Sequence, residues 1–484
     1  VLAALTLALT LHDGLPATRP AEVGMAARRL EAIERVVQRG IRAGGYPGAA
    51  VVVGRRGYAV FQRGYGRLSW SGDSPAVSPN GTIYDLASVS KVVGTTAAAM
   101  ALFDEGRLDL DASVVRYLPS FADGGQKDLV TVRHLLTHRS GLPAGRDLWR
   151  IAFTPADARA ALLQTTLRCE PGRCYEYSDL GMDVLALVLE EAAGEPLDAY
   201  LERKVFAPLG MNDTRYRPAN ELRWRIAPTE LTPPRGYPLH GEVHDENAYI
   251  LGGVAGHAGL FSTAADLSVF AQMMLNRGTF AGTRVFADST VRLFTARSAG
   301  TRGLGWDTCA GQHGCGDYLG PGAFGHIGYT GTSLWIDPER EMFVILLTNR
   351  VHAARARRPA KVIADIRNDL ADAAAWAVVD DPEVAVAKVA FRADSPKGWN
   401  RPYRAARAKG RRGAKGRIVT KRSAVVKTKP ASAKPASAKP ASAKPASAKA
   451  RSAAAAGKAA KSRKVQRPKA AGSAKGGSRK TATR

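Results

Sequence analysis

Asp85-Leu86-Ala87-Ser88-Val89-Ser90-Lys91 ends a loop and runs into SVSKVVGTTAAAMALFDEG. In that run Ala, Val, Leu and Met recur at roughly helical spacing until Gly106 stops it. Ser88 and Lys91 therefore lie one turn apart on one helix face. A serine hydroxyl is a poor nucleophile at neutral pH and needs a base beside it. A lysine amine can be that base where burial and nearby cations lower its pKa. Backbone N–H groups at a helix start favour the negative charge that develops in acyl transfer. Ser-x-x-Lys also arises by chance in long chains, so its meaning depends on what accompanies it.

The chain has 484 residues and a formal net charge of +27. That charge is localised. Residues 401–484 hold 27 Lys and Arg and no acid; the rest holds 43 basic and 43 acidic residues. The body thus carries no sign of nucleic-acid or membrane-surface binding, whereas the tail does. Within the tail Lys-Pro-Ala-Ser-Ala repeats from Lys429, Lys434, Lys439 and Lys444. With almost nothing to bury, 385–484 is expected to be disordered, and proline every fifth residue keeps the repeats extended. An anionic partner, an envelope polymer or nucleic acid, suits such a tail, and so does a solvated linker.

Four cysteines form two close pairs, Cys169/Cys174 and Cys309/Cys315. Two local disulfides fit an oxidising compartment. Zinc fits poorly, since only His313 lies between the second pair and no His stands at ligand spacing beside the first. Free buried thiols remain open. The apolar start VLAALTLALTL has the length of a signal-peptide core, so residues 1–20 read as the remnant of an export leader and the protein as periplasmic or secreted. No later run is long and apolar enough to predict a transmembrane helix.

Residues 25–43 read as an amphipathic helix with Leu30, Ile33, Val36, Val37 and Ile41 on one side. Strands follow at 49–53 and 58–62, joined by the turn Gly54-Arg55-Arg56-Gly57. From about 107 to 260 the pattern is helical with loops. It includes a helix carrying His134 and His138, the clear apolar helix 179–194 closed by Gly194, and a Pro-, Gly- and His-rich loop at 228–260. A helix at 264–275 is capped by Ser262 or Thr263, strands at 333–336 and 342–347 form a hairpin, and a last helix covers about 356–378. The order predicts an α+β fold over 21–384: an antiparallel sheet built from both chain ends, flanked by terminal helices, with an inserted helical domain.

Two further patterns complete the set. Tyr177-Ser178-Asp179 opens the apolar helix, and His326-Ile327-Gly328 leads into a strand. With Ser88 and Lys91, and with flanks HLLTHRSGLP, YSDLGMDVLALVLE, GGVAGHAGLFSTAADL and FGHIGYTGTSLWIDP, the chain resembles the serine β-lactamase and penicillin-binding superfamily over roughly 20–380. It looks like the class C branch, with its esterase and D-amino-acid peptidase relatives.

The resemblance implies roles. Ser88 takes the acyl group, and Lys91 or Tyr177 receives its proton, the phenolate of Tyr177 being favoured by neighbouring cations. Backbone N–H groups of Ser88 and of Tyr329, next to Gly328, form the oxyanion hole, and the His326 strand lies along the substrate. No metal or other cofactor is implied. Asp179 stands where the family has Asn; it could pair with Lys91 and would repel an anionic substrate. His326 replaces a lysine that would give a fixed positive charge, and offers only a hydrogen bond. Both departures weaken a β-lactamase reading against an ester or peptide hydrolase, a carboxylesterase or D-alanyl-D-alanine carboxypeptidase. A weakly active binding protein held on an anionic polymer by its tail is the competing reading. His257, in AGHAG, reads as a loop histidine bonded to backbone, with a substrate-binding role as the alternative; His134 and His138 read as structural.

Overall fold

The computed structural model describes residues 14–399, apart from 232, 233, 312, 313, 353–359, 387 and 396–398. The apolar start, His313 and the basic tail lie outside the described residues. Helix α1 (Ala27–Arg42) buries Leu30, Ile33, Val36 and Val37, the side its apolar spacing marks. It packs with α7 (Ala360–Trp376) on one face of a six-stranded antiparallel sheet. The strands are β1 (Gly48–Arg55), β2 (Tyr58–Gly66), β6 (Asp307–Thr308), β7 (Phe324–Ile327), β8 (Ser333–Asp337) and β9 (Met342–Thr348), in the order β2-β1-β9-β8-β7-β6.

Strand periodicity sorts the core into two layers. Val51, Val53, Val344 and Leu346 face the terminal helices. Ala50, Val52, Ile345 and Leu347 face α6 (Ala264–Leu275) and the helical region beyond. Both chain ends supply the sheet centre, since β1 pairs with β9 at Val51↔Leu346 and Val52↔Ile345. The β1–β2 turn is tighter than the sequence suggests. Only Arg56 and Gly57 lie outside the strands, both with positive φ, as a two-residue hairpin turn requires. Gly54 instead lies inside β1, at a register shift where Val60 of β2 is left without a partner, and the Phe343 ring covers the position where the Gly54 Cβ would stand.

The helical region contains α2 (Ala97–Asp104), α3 (Val132–Leu136) and α4 (Asp179–Ala193). Leu180, Val184, Leu185, Val188 and Leu189 of α4 are buried, and Gly194 ends it at φ +69°. The loop expected at 228–260 holds more structure than its composition suggests: helix α5 (Glu246–Ile250), capped by Asp245, and the start of β5 (Leu260–Ser262). Strand β5 lies between β3 (Tyr84–Asp85) and β4 (Arg215–Tyr216). This small sheet stands immediately before Ser88. Among the described residues no helix is long and apolar enough to cross a membrane.

Cys169 and Cys174 form a disulfide, whereas Cys309 and Cys315 are free thiols in contact with one another, so only one of the two close pairs is bonded. The bonded pair closes the loop that leads to Tyr177. Cross-linking so short a loop restricts the unfolded chain by about 2 kcal/mol. Cys174→Ser should lower the urea-unfolding free energy by about that amount, and a midpoint unchanged with the slope intact would show that the loop is held by its other contacts.

Candidate active site

The approach to Ser88 is a strained corner. Ala87 has φ +48°, a left-handed conformation that costs a non-glycine residue roughly 1–2 kcal/mol. The buried Asp85 carboxylate holds it. One oxygen accepts the Ala87 N–H at 2.8 Å and the other the His244 N–H at 2.7 Å. Burial pushes the Asp85 carboxyl up from its ordinary value. The hydroxyls of Thr330 and Thr332 donate to the carbonyls of Asp85 and Leu86, both at 2.8 Å. The corner thus lifts Ser88 to a half-buried position while its neighbours stay buried.

Beyond the corner the chain enters a wide π-helical turn, Lys91–Thr96, before α2. Ser90 and Thr95 fasten that turn to the 256–260 segment, through Leu260 N–H to Ser90 Oγ (3.1 Å) and Thr95 Oγ1 to the Gly256 carbonyl (2.6 Å). Lys91 has no solvent exposure. Its Nζ donates to Ser88 Oγ at 2.9 Å and to the His257 carbonyl at 3.1 Å, and pairs with Asp179 Oδ1 at 2.7 Å. Burial alone would pull this ammonium down. The Asp179 carboxylate, then the Tyr177 oxygen, outweigh it and hold the amine above its ordinary value. The expected lowering of the Lys91 pKa is therefore reversed, and the acid at position 179 is the main reason. At neutral pH the group beside Ser88 is an ammonium that donates a hydrogen bond.

Tyr177 comes from the last residues before α4. Ser178 caps that helix by accepting the Gly181 N–H at 2.9 Å, which places Tyr177 just outside and Asp179 at the first turn. The Tyr177 ring has Lys91 Nζ 4.9 Å and Arg302 Cζ 5.2 Å from its centroid, with the rings of His138 and His326 at 4.6 and 5.9 Å. Hydroxyl, amine, phenol and imidazole therefore meet at one place.

His326 departs from its expected role as a hydrogen-bonding group for the substrate. Its ring is 2% exposed. Nδ1 lies 2.8 Å from the Ile327 carbonyl, and Nε2 lies 3.3 Å from Arg302 Nη1. Arg302 can only donate, so Nε2 accepts and Nδ1 carries the proton. Burial, then the charges of Arg302 and Lys91, hold His326 well below its ordinary pKa.

His257 is likewise closed to a substrate and is not bonded through its ring to backbone. Its Nδ1 meets Asp183 Oδ1 at 2.7 Å and its Nε2 meets Asp245 Oδ1 at 2.8 Å. Burial opposes its charge, but the two carboxylates win and hold the imidazolium well above its ordinary pKa. What His257 offers the centre is its carbonyl, on Lys91. Asp183 extends this grip by accepting the Gly256 N–H at 3.0 Å.

Gly328 packs against the Leu86 carbonyl and Ala87, with no room there for a side chain. Tyr329 follows it, half exposed, its ring stacked on His244 at 5.8 Å. Arg367 of α7 fixes the turn by donating to the carbonyls of Gly328 (2.5 Å) and Thr332 (2.8 Å), and burial pulls its guanidinium down to about 9. The 328–332 turn is thereby pressed onto the Ser88 corner. His138, at φ +55°, lies beyond the end of α3, and its Nδ1 accepts the Ser178 N–H at 3.1 Å; His134 Nδ1 accepts the Thr131 N–H at 3.2 Å. The two are thus held separately, each by backbone.

The geometry gives a place at the site to Asp85, quoted above without a role, and to His138, read above as structural, and it draws in residues that the sequence reading passed over: Asp183, Asp245, Arg302 and Arg367. Asp183 alone left a trace, as a lone acid inside an otherwise apolar helix run, where an ionisable group needs a partner.

A family model described as Beta-lactamase matches residues 33–368. The chain belongs to the beta-lactamase family. As a beta-lactamase-family member it is a serine hydrolase. It is 32% identical over 375 residues to an Escherichia coli (strain K12) protein named "Putative D-alanyl-D-alanine carboxypeptidase", covering 70% of this chain and 86% of that one. A Salmonella agona protein of the same name is 32% identical over 70% of this chain and 87% of its own length. Among solved structures, EstCE1, a hydrolase with promiscuous acyltransferase activity, is 25% identical, with TM-score 0.59 over 72% of this chain and 99% of that one. A penicillin-binding protein homologue from Caulobacter crescentus shares the beta-lactamase-family fold, with 22% identity and TM-score 0.57 over 72% of this chain and 98% of that one.

Proposed function

We propose that the protein hydrolyses an ester or amide through an acyl-enzyme on Ser88, as a carboxylesterase or a D-alanyl-D-alanine-type carboxypeptidase. The observation that carries this is the 2.9 Å hydrogen bond from the fully buried Lys91 ammonium to the Ser88 hydroxyl at the tip of a strained corner. Ser88 Oγ attacks the carbonyl carbon. Tyr177 serves as the base that receives the Oγ proton, while the Lys91 ammonium stabilises the alkoxide as it forms. The N–H groups of Ser88 and Tyr329 receive the carbonyl oxygen. The bond to the leaving group then breaks, Tyr177 returns the proton to it, and water repeats the sequence on the acyl-enzyme. Asp179 holds Lys91 charged, and β7 borders the substrate with its backbone. The disulfide Cys169–Cys174 supports export to the periplasm or outside the cell.

A fluorescent acyl-phosphonate and a penicillin probe test this. Either should add one label, mapped to Ser88 by peptide mass, and Ser88→Ala should carry none. A label that survives that substitution ends the proposal. Short-chain p-nitrophenyl esters, D-alanyl peptides and a chromogenic cephalosporin, assayed in parallel, then decide between esterase and peptidase.

A further inference from the structure

Arg302 precedes β6 and its side chain is almost wholly buried. Its side-chain nitrogen atoms are all engaged in one wall of side chains beside Tyr177. Nε donates to the Tyr175 hydroxyl at 3.2 Å, Nη1 donates to His326 Nε2 at 3.3 Å, and Nη2 stands 3.6 Å from Asp307 Oδ2. Its Cζ lies 5.2 Å from the centre of the Tyr177 ring. A planar guanidinium can serve several partners at once because its donors point in fixed, separate directions.

We propose that Arg302 sets the specificity of this wall: by filling Nε2 of His326 and bracketing Tyr175 and Tyr177, it closes the imidazole to substrate anions, so that the group received beside β7 is uncharged. The statement about substrate rests on the acyl-Ser88 reading and takes its esterase arm, since a carboxypeptidase substrate ends in a carboxylate; the closure of His326 does not. Arg302 is a positioning residue, since it reaches the cleft through these three rings. The charged and titratable groups around His326 are Arg302, Lys91, His138 and Tyr177. Among the described residues only Arg302 bonds to Nε2 of the ring, Nδ1 being taken by the Ile327 carbonyl. Without that bond and that charge, Nε2 has lost its donor and one of the causes that oppose its protonation, burial and Lys91 being left, and the wall can gain a cation that comes and goes with pH.

Two measurements test this on the full chain. In the first, the His326 imidazole is followed by NMR from pH 5 to 8, with His326→Gln identifying its resonance. It should stay silent in the wild type and in Arg302→Lys, and titrate in Arg302→Met. A silent Arg302→Met, or an Arg302→Lys that titrates, overturns the closure. Should Arg302→Met fail to fold, Arg302→Lys still decides, because titration there shows that a positive charge at 302 does not hold His326. In the second, kcat/KM is compared for p-nitrophenyl butyrate and the mono-p-nitrophenyl ester of succinate at pH 6. The wild type should prefer the uncharged ester at least tenfold, and Arg302→Met should narrow that ratio. A ratio that widens would show Arg302 attracting the carboxylate and sink the specificity assignment. Absence of turnover in the wild type would instead count against the acyl-Ser88 reading and leave the NMR result standing.

Discussion

Lys91→Met is expected to slow acylation of Ser88 by about 10³–10⁴-fold while leaving the fold nearly as stable as before. The ammonium is the group in hydrogen-bond contact with the nucleophile, at 2.9 Å. Methionine matches its length and fills the same buried slot without a charge. Asp179, the partner left behind, keeps 34% of its side chain exposed and can be solvated. Removing a buried charge whose counter-ion can reach water costs little, and it also abolishes the desolvation of the amine itself. The unfolding free energy from urea titration should therefore stay within about 1–2 kcal/mol of wild type. Arginine should not restore the rate, because its planar head is bulkier than the slot that holds a compact ammonium between Ser88, His257 and Asp179. Acylation of the methionine variant at a rate within tenfold of wild type would show that the amine does not assist Ser88.

The largest stability effect is expected at His257. His257→Ala leaves Asp183 without its charge partner at 2% exposure, and leaves Asp245 without the bond that its folded conformation was built on. Stripping one member from a buried ion pair costs about 3–5 kcal/mol; Asp245 is 38% exposed and screened, which places the expected value near the lower end. Linkage gives the pH dependence. The His257 pKa is raised on folding, so its contribution is complete below the unfolded value of about 6.5 and is lost as pH rises through the higher folded value. The Asp245 carboxyl is held below its ordinary range: burial opposes this, and the His257 charge prevails. Its contribution is complete above about pH 4 and is lost as pH falls further. The cost of His257→Ala should thus be greatest between about pH 5 and 6.5 and shrink toward alkaline pH. Urea unfolding at pH 5.5, 7.5 and 9.5 reads this directly. A cost that grows from pH 5.5 to 9.5 would show that the ring is neutral in the folded protein. The same substitution should also slow acylation, since the His257 carbonyl that steadies Lys91 belongs to the segment these carboxylates hold.

The parts of this molecule that could be read before folding are those written in local pattern. α1, α4 and α6 announced themselves by spacing and caps, and the β8–β9 hairpin by two apolar runs around Asp337-Pro338-Glu339-Arg340. Ser88 and Lys91 stood out at a helix start, whereas Tyr177 and Asp179 were found through the family resemblance, as members of an ordered set of motifs. α5 and β5 are five and three residues long, and nothing so short leaves a periodic trace among prolines and glycines. Arg302 was hidden for another reason. It lies in ARSAGTRGLGW, without period or motif, and acquires its role only when the sheet brings β6 beside β7. Tertiary neighbours also decided the ionisation of the centre: Lys91 could be a base only where its pKa falls, and the acid 88 residues downstream holds it up.

The pairing of β1 with β9 joins Val51 to Leu346, about 300 positions apart, and contacts of such long separation are slow to form because the intervening chain must first be gathered in. A ribosome or translocon delivers the nucleophile corner early and the Gly328 turn that presses on it late. A nascent chain that ends anywhere between Lys91 and β7 carries Ser88 and Lys91 yet lacks the turn that presses on them. Hydrolytic competence should therefore arrive in one step with the final strands, so that an incomplete chain carries the serine and lysine without the activity.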